Sequence, residues 1–150
     1  MKNLALDIGD VWTGTAISDA LGMFARPYQT VETKDLVLFL TTVLQKEPIK
    51  AVVVGHPTTM RGTKTAQTIK VEEKKQELES LFAQVEWLFW DESYTSQLAE
   101  ELKPARSKEE KRQSHSIAAA YILSSYLDHL QFLKNGSDDN LDNEGEDTLA

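Results

Sequence analysis

Leu4-Ala5-Leu6-Asp7-Ile8-Gly9, with Gly14-Thr15-Ala16-Ile17-Ser18-Asp19 close behind it, is the stretch from which the fold is read. An apolar run ends on a carboxylate and a glycine, turns, and re-enters a second β-rich run. The pattern places Asp7 at the end of a buried strand, beside a glycine that lets a phosphate or metal ion approach the backbone. An unpaired buried carboxylate costs several kcal/mol or more. An acid at such a point therefore either closes a hairpin turn or serves a site.

Working outward, strands are expected near Asn3–Ile8 and Thr13–Ser18, and a third over Arg26–Val31, so the chain opens as a meander. Leu36, Leu38, Phe39, Leu40, Val43 and Leu44 then mark an amphipathic helix, with Asp35 near its start and Pro48 after its end. The continuous apolar run Ala51-Val52-Val53-Val54-Gly55 is the signature of a strand covered on both faces. A charged helix is expected over Thr65–Ala83, a fifth strand over Val85–Trp90, and helices over Thr95–Leu102 and Lys108–Leu133. The order βββαβαβαα predicts an α/β domain with a mixed five-stranded sheet, a three-strand antiparallel meander plus two parallel strands, and helices on both faces. Sites in such sheets lie at the carboxyl ends of strands. Three polar clusters fall there: Asp7-Ile8-Gly9, Gly55-His56-Pro57 and Asp91-Glu92.

The 150 residues fit one domain, 41% hydrophobic and without cysteine, which excludes disulfides and thiolate metal sites. No apolar run approaches the roughly 18 residues of a membrane span. Met1-Lys2-Asn3 leads straight into a strand, so no secretory signal and a cytoplasmic location are expected. The net charge is −8, yet six acids and no base lie in 135–150, which leaves the body at −2. The expected division is a folded domain over 1–134 and an acidic, disordered tail over 135–150.

Asp7 with Asp91 or Glu92 offers paired carboxylates, suited to sharing a divalent cation or a proton. Gly55-His56-Pro57-Thr58-Thr59-Met60-Arg61-Gly62-Thr63 is a hydroxyl-rich loop in which Arg61 and backbone N–H groups suit a phosphate, without the Walker spacing. Lys103, Arg106, Lys108, Lys111 and Arg112 concentrate positive charge fit for a nucleic-acid backbone, although Glu100, Glu101, Glu109 and Glu110 interleave with them. Trp12 is a candidate for stacking on a base.

Taken together, Leu6-Asp7-Ile8-Gly9, Gly14, Ala16-Ile17-Ser18-Asp19, Ala25-Arg26-Pro27, Val53-Val54-Gly55-His56-Pro57, Gly62, Asp91-Glu92 with Thr95, and Ala118-Ala119 with Ile122–Asp128 resemble the YqgF/RuvX family of the RNase H-like superfamily. The resemblance implies an RNase H-like fold and a nuclease dependent on Mg²⁺ or Mn²⁺. It implies a role in 5′-end processing of pre-16S ribosomal RNA, with Holliday-junction resolution as the alternative. Asp7 then becomes the first metal-binding acid and Glu92, or its neighbour Asp91, the second. The third ligand falls near the start of the last helix, where the usual aspartate is replaced by His115. The first turn reads Asp10-Val11-Trp12 where the family has basic residues, and Ser93-Tyr94 stands where it has Arg-Leu.

The expected partners are structured RNA or branched DNA and a ribosomal precursor, with no membrane, for a monomer or homodimer. Two rival readings remain open at this point. One is a catalytically weakened nucleic-acid or pre-ribosome binding protein, motivated by His115 and the lost basic residues. The other is one half of a sugar-kinase or chaperone-type ATPase, for which the chain is short.

Overall fold

The computed structural model describes residues 1–57, 64–91 and 107–147, with side chains described as far as residue 136. Strands β1 (Lys2–Ile8), β2 (Trp12–Ser18) and β3 (Ala25–Glu32) are followed by a 3₁₀ turn and helix α1 (Leu36–Lys46). Then come β4 (Ile49–His56), α2 (Ala66–Leu81), β5 (Glu86–Asp91) and α3 (Lys108–Asp147). The helix expected over 95–102 lies outside the described residues.

The sheet order is β3-β2-β1-β4-β5, so β1 is the central strand. It pairs antiparallel with β2 and parallel with β4, β2 pairs antiparallel with β3, and β4 parallel with β5. The meander with two parallel strands is thus the arrangement the sequence predicts. The β1–β2 turn is tight: the Gly9 N–H donates to the Trp12 carbonyl at 2.9 Å. A Cβ on Gly9 would lie 2.6 Å from that same oxygen, so a side chain there forces the turn open. Thr33 fastens the turn from outside, its hydroxyl donating to the Gly9 carbonyl at 2.7 Å.

Alternation along the strands divides the core in two. Leu4, Leu6 and Ile8 of β1, with Val52 and Val54 of β4, face Leu36, Leu40 and Val43 of α1 and Val71 and Leu78 of α2. Ala5, Ala16 and Val53 face the other way, against Ala119, Ile122, Leu123 and Leu127 of α3. The α3 contacts recur every three or four residues, the period of one helix face.

Ser107 caps α3, its hydroxyl accepting from the Glu110 N–H at 3.1 Å. Thr65 and Thr68 cap α2 reciprocally, and Gln67 donates its side-chain amide to the Ile8 carbonyl at 3.1 Å. That bond holds the start of α2 at the carboxyl end of β1. Helix α3 runs past the expected end at Leu133, and its backbone stays helical through the acidic segment to Asp147. Propagation from a packed helix adds one hydrogen bond per residue and needs no apolar stripe.

Candidate nucleic-acid interface

The sheet gathers the strand ends as the topology predicts. Asp7 pairs across with Gly14, while Gly55 pairs with Trp90 and His56 with Asp91. Asp7 shares strand parity with Ala5, so it belongs to the α3 face, where it is half-buried.

Gly14 is what brings the helix to this point. A Cβ built there would lie 1.9 Å from the His115 carbonyl oxygen and 2.7 Å from the Ser116 nitrogen, both backbone atoms. Only a bare strand residue lets α3 press so close. The turn carrying His115 therefore rests on the residue directly opposite Asp7. The resemblance brought Gly14 forward as part of a motif; its physical role, close helix approach, becomes visible only once α3 is laid on β2.

Asp91 behaves differently. Leu88 and Trp90 pack on the α3 side and Trp87 on the α1/α2 side, so alternation puts the exposed Asp91 on the α1/α2 face, away from Asp7. Arg61, Glu92, Lys103 and Arg106 lie outside the described residues. Asp10 turns toward α2, where Lys70 lies 3.3 Å from its carboxylate.

Trp12 opens β2 on the α3 face, with the Arg112 guanidinium carbon 4.5 Å from its ring centroid. Among the described residues, Trp12, Lys108, Lys111, Arg112 and His115 line one open cleft of about 310 Å³. Four of the five sit on α3 at positions i, i+3, i+4 and i+7, a single helix face. The acids Glu109 and Glu110, interleaved with them in sequence, fall off that face.

A polar cluster that sequence reading did not assemble stands on the opposite face. The His56 ring nitrogen lies 2.8 Å from Glu72 of α2, and Lys64 lies 3.0 Å from the same carboxylate. His56, followed by Lys64, holds the Glu72 carboxyl below its ordinary value. The signal was present only as a histidine at a strand end; its partner comes from a helix face that reads as merely solvated.

Asp7 is a hard oxygen donor of the kind Mg²⁺ or Mn²⁺ favours, and His115 is a nitrogen donor of a kind better suited to Mn²⁺. Among the described residues no group of three His, Cys, Asp or Glu side chains is placed to hold a metal ion. Also among these residues, no helix is long and apolar enough to cross a membrane.

A mixed five-stranded sheet with an acid ending its central strand and a helix pressed over that point defines the RNase H-like class. Solved structures agree on the fold. RuvC of Thermus thermophilus in complex with a Holliday junction substrate matches with a TM-score of 0.53 at 15% identity, over 85% of this chain and 94% of that one. A second T. thermophilus RuvC structure gives a TM-score of 0.51 at 16% identity, with the same coverage of both chains.

Within that class the chain belongs to the RuvX family, whose description, "RuvX: Holliday junction resolvase", matches residues 1–129. A relative from Rubrobacter xylanophilus is 34% identical over 83% of this chain and 90% of its own length. One from Caldicellulosiruptor bescii is 34% identical over 85% of this chain and 96% of its own. Both carry the name "Putative pre-16S rRNA nuclease".

Proposed function

We propose that this chain is a divalent-metal-dependent endonuclease acting on structured nucleic acid, in 5′-end processing of pre-16S ribosomal RNA. Family membership and the names of the relatives support the reaction class. The observation that carries it is Asp7 at the carboxyl end of the central strand, with the His115 turn seated on the glycine across from it.

RuvC-like nucleases in general depend on divalent metal. Asp7, Glu92 and His115 are the residues that would hold the ion here. Asp91 is set aside because its strand parity faces the other way. The bound ion would supply Lewis-acid stabilisation of charge on the attacking and leaving oxygens of the phosphodiester. His115 would offer an imidazole able to take a proton or orient a water. Lys108 and Lys111 stand on the same face of α3 as His115 and would hold the strand's phosphates. The chain as a whole carries a charge of −8, so a ribosomal precursor would supply part of the targeting.

The test is cleavage of a precursor-rRNA leader and of a four-way DNA junction, with Mg²⁺ and with Mn²⁺. Wild type, Asp7→Asn and His115→Asp are compared. Wild type is expected to cut the RNA. Asp7→Asn should lose activity at least about a hundredfold, more than the usual loss from changing an outer partner of a metal ligand, with an unchanged melting temperature. His115→Asp is expected to shift preference toward Mg²⁺. Preferential cutting of the junction would replace RNA processing with junction resolution. A silent wild type that gains activity only in His115→Asp would overturn the nuclease reading in favour of a binding protein.

A further inference from the structure

The cleft beside His115 combines features that a simple backbone-gripping surface does not need. Its floor is an indole, half-buried at the start of β2, with the Arg112 guanidinium over its ring at 4.5 Å. The helix turn carrying Arg112 is itself fixed, because the Thr30 hydroxyl donates to the Arg112 carbonyl. Thr30 pairs with Gly14, so the cleft is built on the same sheet rung as Asp7. The lysines at its mouth, Lys108 and Lys111, are exposed and share the Arg112 face of α3.

A planar aromatic-guanidinium pair recognises π faces, and the bases of a continuous duplex hide theirs. The cleft volume of about 310 Å³ lies at the low end of the roughly 300–1,000 Å³ of small-ligand sites.

Resting on the nucleic-acid reading above, we infer that this cleft receives one unpaired nucleotide of the substrate. Its base stacks on the Arg112 guanidinium that lies over Trp12, and its flanking phosphates meet Lys108 and Lys111. The cleft thereby directs the Asp7 centre to junctions between paired and unpaired strands.

The test uses the full chain carrying Asp7→Asn with Mg²⁺, so that the probe stays intact. Hairpins carry one 2-aminopurine, either unpaired beside the stem or paired within it, in RNA and DNA versions. The unpaired probe is expected to be quenched on binding and to bind on the order of tenfold more tightly than the paired one. Trp12→Ala added to this background should abolish both the quench and the preference, whereas Trp12→Phe should keep them. Lys111→Ala should weaken both probes alike and lower the salt slope by about one.

Equal binding of the two probes, or no binding, overturns the inference. So does a Trp12→Ala variant that keeps the preference and only melts earlier, since Trp12 and Arg112 would then be a clasp holding α3 down. If Trp12→Ala does not fold, Arg112→Gln decides by the same readouts. Selective binding without any cleavage by the wild type would retain the cleft and remove the nuclease reading. Asp7-dependent cleavage without selectivity would do the reverse. The arm showing the stronger quench identifies the sugar the cleft accepts.

Discussion

The two faces of the sheet are built from the same strands to opposite ends. Toward α1 and α2 the strands send Leu4, Leu6, Ile8, Ile17, Val52 and Val54, which fill a thick apolar layer. Toward α3 the strands β1, β2 and β4 send Ala5, Ala16 and Val53, and at one rung only Gly14, while the edge strand β5 sends Leu88 and Trp90. Large side chains hold a helix off the sheet and remove much apolar area from water, which is where stability accumulates. Small ones let the helix backbone reach the strand, so that the His115 turn of α3 rests across from Asp7 on β1. A thick apolar layer and a close helix approach are thus assigned to different sides of one central strand, by alternate residues. That separation allows Asp7 to sit at the strand end while its neighbours Leu6 and Ile8 remain in the core.

This division can be broken at chosen points. The largest stability change is expected in the thick layer. Leu40→Ala, at a fully buried position, should lose about 2–5 kcal/mol in denaturant unfolding, with cleavage per folded molecule intact. Gly14→Ala should cost less stability, about 1–3 kcal/mol, yet eliminate cleavage, because the new methyl meets the His115 backbone and α3 must lift. A Gly14→Ala protein that melts earlier but cuts normally would show that α3 need not be seated for chemistry.

The smallest effect is expected at the Glu72 cluster. Its folded carboxyl is held below the ordinary value by His56 and then Lys64, so its contribution is complete above pH 4.5, the ordinary glutamate value, and is lost as pH falls through the lowered folded value. Glu72→Gln should therefore flatten the acid side of the stability-pH profile and leave cleavage at neutral pH unchanged. A change in cleavage would mean that the α2 face communicates with the Asp7 centre.

The sequence by itself determined the strands, their mixed pairing and the presence of an acid at a strand end, because alternation and apolar runs are local patterns that follow from backbone geometry. It also carried enough motif order to reveal the family. It left the side of the sheet that Asp91 faces undecided, since strand parity acquires meaning only once Trp87 and Trp90 are seen on opposite sides. It left Lys108, Lys111 and Arg112 diluted by Glu109 and Glu110, because charges that alternate along the chain are sorted only by the helical turn. The seating of the His115 backbone across from Asp7 depends on Gly14, far away in sequence. Such a contact is set by how closely two packed elements approach, and that distance belongs to the tertiary structure alone.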